Sequence, residues 1–336
     1  MKILLAGVFD SHYALSGQLR VRALEELGHD VITVDYRKGT PSPVRRFVPV
    51  LHRRQALSRV LECLEANEVD TVVVLKGECF DAEAVSRIRQ KARVPVVNWF
   101  PDDPHQLHVS RVIAPAYDLF FTHDTYALAE LSRSGVRHAR YLPFACHPAV
   151  HHPYPRSVEP NDGRLEGSLL FIGTYDPIRA SVLAAIVDLG LTVAGPGWRP
   201  EHLRGATVLR TGVYGESMFR AFSRARICLN IHQNFGRSVD LYGHGLNSRV
   251  FEVTGCGGVL LTDRKSDLSE LFDEDREVSC YQSHGELRDR VEYLLANDDR
   301  RRRLAEEGRA RAISAHTLHH RFRSMFEEIG RLGSAA

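Results

Sequence analysis

The residues best equipped for chemistry lie in the stretch 246–262, LNSRVFEVTGCGGVLLT. Asn247 or Ser248 can cap a helix there. Arg249, Val250 and Glu252 fall in its first turns, and Gly255, Gly257 and Gly258 stop it before the apolar run 259–261. A helix N-terminus presents N–H groups without intrahelical partners at the positive end of the dipole. The start of this helix therefore suits a phosphate, to which Arg249 would add charge-assisted hydrogen bonds. Glu252, about one turn in, could accept from a ribose diol. A capped helix ending in glycines before a buried strand is also ordinary α/β architecture, so the stretch alone is equally compatible with a structural role.

Carboxylates and imidazoles collect elsewhere. WFPDDP sets Asp102 beside Asp103, and close carboxylates repel, which raises one pKa and makes a better base. Pro-Asp-Asp-Pro is equally good turn chemistry. Asp10 and His12, after the first apolar run, are further base candidates. His105, His108, His123, His147, His151 and His152 raise the question of a metal, but no HExxH or carboxylate cluster at ligand spacing accompanies them, and they read as surface or loop histidines. No metal and no cofactor are expected.

The elements that must position these groups alternate. Apolar runs at 2–8, 31–35, 71–75, 94–99, 118–122 and 139–142 read as strands, separated by helical patterns at 14–27, 55–65, 81–92, 106–113 and 125–134. A second set follows, with strands at 168–172, 191–194, 206–209, 225–231, 259–261 and 277–280. Helices are expected at 178–189 and 215–223, at the opening stretch, and at 285–296, 298–316 and 318–332. This spacing predicts right-handed βαβ crossovers, hence two Rossmann-like, doubly wound α/β domains facing a cleft, with C-terminal helices. The proline-rich, apolar-poor stretch 143–167 reads as the connection. The boundaries follow as 1–145, a linker 146–167, a second domain 168–316 and a final helix 317–336. Ligands of open parallel sheets bind beyond the carboxyl ends of strands. Those ends carry Asp10, His12, Asp102, Asp103, His123 and Asp124 in the first half, and Gly173, Thr174, Arg179, Trp198, His232 and Gln233 in the second.

Composition narrows the class. Hydrophobic residues make up 43% and charged residues 26% of 336, a soluble globular profile able to fill two cores. No apolar run is long enough to cross a bilayer, and the six cysteines form no CxxC pair, so a reduced, cytoplasmic protein is expected. A net charge of +2 is too small to mark a nucleic-acid binder. The segment 37–59 is the exception. It carries Arg37, Lys38, Arg45, Arg46, Arg53, Arg54 and Arg59 with no acidic residue, interleaved with Phe47, Val48, Val50 and Leu51. It suits weak peripheral contact with anionic lipid or an acidic acceptor, and it also reads as a solvated connection that opens a helix.

The first strand runs into GVFDSHY without GxGxxG, which removes the main support for a nicotinamide enzyme. FIGTYDPIR (171–179), LNIHQ (229–233), NSRVFEVTGCGGVLLTD (247–263) and DLSELF (267–272) instead resemble the glycosyltransferases of the GT-B architecture, and within them the group that includes the CgeB-type spore maturation proteins. WFPDDP, FTHD (121–124) and YLPFACHP (141–148) are similar to its N-terminal partner domain. The resemblance covers most of the chain and is weakest over 39–68. It implies transfer of a sugar, a hexosyl group, from a nucleotide-sugar donor (UDP-, GDP- or dTDP-linked) held mainly by the second domain. The acceptor is unidentified and held mainly by the first. By the same resemblance Glu252 binds the ribose hydroxyls, Arg249 with Ser248 and Asn247 sits near the diphosphate, and Gly173 leaves room for the donor. Thr174, Arg179, His232, Gln233 and His244 line that site, with Trp198 and Tyr214 as further walls. Many retaining members carry an acidic residue eight positions before the ribose glutamate; here that place is His244, which leaves the stereochemical course open. A non-catalytic nucleotide-sugar-binding partner and a sugar-nucleotide epimerase are the alternatives. The tail, with Leu318, Phe322, Met325, Phe326 and Ile329 at helical spacing, is expected to pack, and similar enzymes return it to the first domain.

Overall fold

Continuous apolar runs such as TVVVL and LLFI are the signature of strands buried on both faces, and they form two parallel sheets of six strands each. The computed structural model describes residues 1–9, 15–155, 165, 169–209, 212–233 and 243–334. The chain divides into two compact units, Met1–Pro143 with Leu318–Ala336, and Phe144–Thr317.

The first unit runs β1 Lys2–Gly7, α1 Leu15–Glu26, β2 Asp30–Asp35, α2 Ser42–Phe47, α3 Pro49–Ala66, β3 Thr71–Leu75, α4 Ala82–Ala92, β4 Val96–Phe100, α5 Leu107–Ile113, β5 Leu119–Thr122, α6 Thr125–Arg133 and β6 Ala139–Tyr141. Its strand order is β2-β1-β3-β4-β5-β6, so the direction of winding reverses between β1 and β3. Leu4, Val72, Val74, Phe80, Ile88, Phe100 and Phe120 belong to its core. Side-chain caps start the helices: Asp81 accepts from Ala84 N at 2.9 Å, and Asp124 accepts from Ala127 N at 2.8 Å. The basic segment departs from the expectation of a helix opening at 55. It is helical from Ser42 to Phe47 and again from Pro49, because proline at the first helical position needs no N–H partner.

The second unit runs β7 Leu169–Ile172, α7 Pro177–Ala184, β8 Leu191–Ala194, β9 Thr207–Leu209, α8 Gly215–Arg224, β10 Ile227–Asn230, α9 Ser248–Gly255, β11 Leu260–Asp263, α10 Leu268–Leu271, β12 Ser279–Tyr281, α11 His284–Ala296 and α12 Asp298–Ala315. Its order is β12-β11-β10-β7-β8-β9, which places the reversal between β7 and β10. Helix α7 stops earlier than the expected 189, with a 3-10 turn at Val187–Leu189 and Gly190 at φ 82° completing the connection. Within the proline-rich stretch, residues 144–155 are not a bare tether. Cys146 is buried, its N–H donates to His316 O at 2.9 Å, and a Cβ on Gly255 would lie 2.9 Å from its Cβ.

The chain then ends in α13, Leu318–Ser334, which belongs to the first unit. Phe322 and Met325 are fully buried there, and Phe322 meets Trp99 edge-on at 5.9 Å. Arg140 pairs with Glu328 at 2.7 Å. Among the described residues no helix is long and apolar enough to cross a membrane.

Candidate functional site

In the second unit the polar residues converge where the winding reverses, the position at which open parallel sheets bind ligands. Asp176 caps α7, accepting from Ile178 N at 2.8 Å and Arg179 N at 3.3 Å, and so aims Arg179 back across the sheet end. Arg179 then donates to Ile231 O through Nε (3.1 Å) and Nη2 (2.8 Å), and to Thr174 O through Nη1 (3.1 Å). It ties the loop after β7 to the loop after β10. Burial lowers its pKa and the charge of Arg249 adds to the effect, while Asp176 and Asp263 oppose it. Arg179 is thus committed to main-chain carbonyls.

His232 is the brace on the other side of the reversal. Its Nδ1 meets Asp263 Oδ1 at 2.7 Å, and its Nε2 accepts from Asn247 N at 3.1 Å, so the Nδ1 proton faces the carboxylate. The backbone N–H of His232 also donates to Asp263 Oδ1, at 2.9 Å. Burial works to raise the Asp263 carboxyl, but His232 and Lys265 together hold it below its ordinary value. Asn247 Nδ2 donates to Asn230 Oδ1 at 3.0 Å, and Asn230 in turn donates to Thr262 Oγ1 at 3.0 Å. Asn247 therefore precedes α9 in extended conformation with its amide engaged sideways, and it makes no side-chain cap. The first turn of α9 thus receives no side-chain cap from Asn247, and a helix start of this kind suits an anion.

Arg249 and Glu252 stand one turn apart on one face of α9 and pair with each other, Nη1 to Oε2 at 2.6 Å. The guanidinium lies over the Phe222 ring at 4.7 Å and reaches Met218 Sδ at 3.0 Å. Behind them is His151, 3% exposed, its ring edge-on to Phe219 at 4.4 Å and its Nδ1 accepting from His147 N at 2.7 Å. Burial pushes His151 down to about 4; His147 and Arg249 add to the effect and Glu252 opposes it. Its Nε2 has no hydrogen-bond partner among the described residues.

The first loop is tight. A Cβ on Gly173 would come 2.9 Å from the Phe171 ring, and one on Gly195, at φ 141°, would come 2.1 Å from Gly173 O. Trp198 is not a pocket wall: it is 2% exposed, and its indole N–H is spent on Gly173 O at 2.8 Å. Tyr214 is exposed, as are Gln233 and Thr174. His244 is half-buried, with its carbonyl accepting from Asp267 N at 3.1 Å.

In the first unit, Asp102 and Asp103 diverge. Asp102 is partly exposed and pairs with Lys76 Nζ at 2.5 Å, joining the loops after β4 and β3. Asp103 is 1% exposed and accepts from the Ser110 hydroxyl. Its carboxyl is raised to about 6, by burial first, with Asp124 and then Asp102 adding and the Ser110 and Thr122 hydroxyls opposing. Burial, more than repulsion between the neighbours, is the cause. His123 is buried beside them and pushed down to about 4 by burial, with Asp124 and Asp102 opposing. Asp10 and His12 lie outside the described residues. Asp263 and Asn230 are the members that sequence reasoning does not single out, and His151 and His123 figure there only as loop histidines. The only signal for them is their position just beyond apolar runs or in the 143–155 turn.

This architecture, two parallel six-stranded sheets with flanking helices, is that of GT-B glycosyltransferases. Sucrose-phosphate synthase from Thermosynechococcus elongatus is similar over 100% of both chains, at 16% identity and a TM-score of 0.68. AviGT4, a glycosyltransferase involved in avilamycin A biosynthesis, matches over 100% of this chain and 99% of its own, at 17% identity and 0.64. Anabaena HepE in complex with UDP-glucose matches over 100% of both, at 12% identity and 0.65. A glycosyl transferase-like family model matches residues 179–327, a span that takes in Arg179, His232, Arg249 and Glu252. No curated protein sequence matches the chain at significance.

Proposed function

We propose that the protein is a glycosyltransferase of the CgeB-like group that moves a hexosyl unit from a nucleotide-sugar donor, UDP-linked by preference, to an acceptor hydroxyl. The observation that carries this reading is the convergence of Arg249, Glu252 and the start of α9, which Asn247 leaves without a side-chain cap, at the β7/β10 reversal. Breaking the bond between the sugar's anomeric carbon and the diphosphate leaves negative charge on the leaving oxygen. Arg249 and the α9 N–H groups would stabilise it in place, a task for which fixed donors suffice without a metal. Glu252 would hold the ribose diol. The acceptor oxygen forms the new bond to the anomeric carbon and gives up its proton. We assign that proton to Asp102, the more exposed of the two adjacent carboxylates, and leave Asp103 an internal role. The six free thiols, five of them buried, support a reducing compartment such as the cytoplasm.

Calorimetric titration with UDP, GDP and dTDP sugars tests the donor site. Glu252→Ala removes charge-assisted hydrogen bonds together worth about 1.5–3 kcal/mol, so donor Kd should rise about tenfold to a hundredfold with the fold intact. Unchanged affinity refutes the assignment. Release of an isomerised donor without any acceptor would favour an epimerase, and binding without turnover a partner protein.

A further inference from the structure

Among the described residues eight large apolar side chains are exposed, and four of them, Phe47, Val48, Val50 and Leu51, fall within five positions at the junction of α2 and α3. The cause lies in how α3 packs. Its buried face consists of His52, Ala56, Leu57, Val60 and Leu64, so the turn that begins at Pro49 overhangs the core and carries Val50 and Leu51 into solvent. Phe47, the most exposed of the set at 74%, ends α2 beside them. Around this apolar tip the charge has one sign, because 37–59 holds seven basic residues and no acidic one. Arg37 is satisfied by Glu78 at 2.8 Å, and Arg45 by the Thr40 carbonyl. Arg53 and Arg54 are exposed and make no ion pair among the described residues. Buried His52 registers the local field: burial lowers its pKa, and the charges of Arg45, Arg37 and Arg59 lower it further, with Glu78 opposing.

We propose that this junction docks on an anionic lipid surface, with Phe47, Val50 and Leu51 entering the acyl boundary and Arg53 and Arg54 held among the headgroups. Charge complementarity favours an anionic occupant, and the size of the patch favours a bilayer over a protein. A stable protein interface buries about 800 Å² per partner with matched shape, far more than four side chains supply. A bilayer needs no matched shape, and an apolar insertion joined to basic residues provides the two signals that stable peripheral binding takes.

Flotation of the full chain with vesicles tests this. Binding is expected to vesicles of equal parts phosphatidylcholine and phosphatidylglycerol, not to phosphatidylcholine alone, and to weaken as salt is raised. Arg53→Glu with Arg54→Glu, and separately Phe47→Ser with Leu51→Ser, should each lower partitioning at least about tenfold while UDP binding and thermal melting stay unchanged. Absence of binding to anionic vesicles at low salt overturns the proposal, as does binding that both double variants retain. A concentration-dependent dimer that Phe47→Ser with Leu51→Ser abolishes would also overturn it, by naming a second copy as the occupant.

Discussion

Asp103 gives the sharpest test, because its burial fixes both the sign and the size of an effect. The carboxyl is 1% exposed and raised from its ordinary 3.8 to about 6. Two decades of proton affinity correspond to about 3 kcal/mol between the charged and neutral forms. The native state prefers the protonated acid, so the penalty is fully present above the folded pKa and is relieved as pH falls from about 6 towards 4. Lowering pH from 7 to 5 should recover about 1.3 kcal/mol of it. Asp103→Asn keeps an acceptor for Ser110 and cannot ionise, so the stability gap between the two proteins must move by that amount in favour of Asp103. Other titrating groups act in both proteins and cancel. The chain has two tryptophans, and Trp99 lies in the first unit while Trp198 lies in the second. Urea unfolding followed by Trp99 fluorescence in a Trp198→Phe background therefore reads the unit that holds Asp103 without assuming that the whole chain unfolds in one step. A gap that stays constant with pH, or moves the other way, would mean that Asp103 ionises like a solvent-exposed carboxylate and would return it to the candidates for the base.

Three further outcomes follow from single contacts. His232→Ala leaves the Asn247 N–H and the Asp263 carboxylate each short of a partner, so urea titration should show the second unit weaker by about 3 kcal/mol, with His232→Gln recovering part; an alanine variant of wild-type stability would remove the brace. His151 is held neutral with its pKa near 4, below the 6.5 of an unfolded histidine, so it costs stability as pH falls through that window, by up to about 3 kcal/mol, and His151→Gln should flatten the acid limb read by Trp198 fluorescence. Gly195→Ala should melt well below Gly190→Ala, because the first Cβ meets Gly173 O at 2.1 Å and the second has nothing within 4 Å; equal melting temperatures would show that the loop yields freely.

The alternation of strands and helices is legible because strands covered on both faces must be apolar throughout, as TVVVL and LLFI are. The helical basic segment is not, since the apolar residues that open α3 face solvent and break the periodicity that would mark a helix. The network around Arg179 and His232 is hidden for a different reason. Arg179 reaches a carbonyl 52 positions away and His232 a carboxylate 31 positions away, contacts that exist only because β10 lies between β7 and β11. Chain order does not fix that arrangement.

The pairing of Arg249 with Glu252 follows from their i, i+3 spacing, and it changes what each residue can offer a ligand. Read one at a time, the arginine goes to phosphate and the glutamate to ribose. Paired, the glutamate holds the guanidinium over Phe222 and at the helix start, and the two charges cancel locally. A guanidinium has five N–H donors, so Arg249 can keep Glu252 and still present others to an anion, whereas Glu252 can take a hydroxyl donor on its second oxygen without releasing the arginine. A neutral pair of this kind binds a group that brings both an anion and adjacent hydroxyls better than it binds either alone. Free phosphate should therefore compete poorly with a nucleoside diphosphate, and a 2′,3′-dideoxy analogue should lose affinity through Glu252 although its diphosphate is intact.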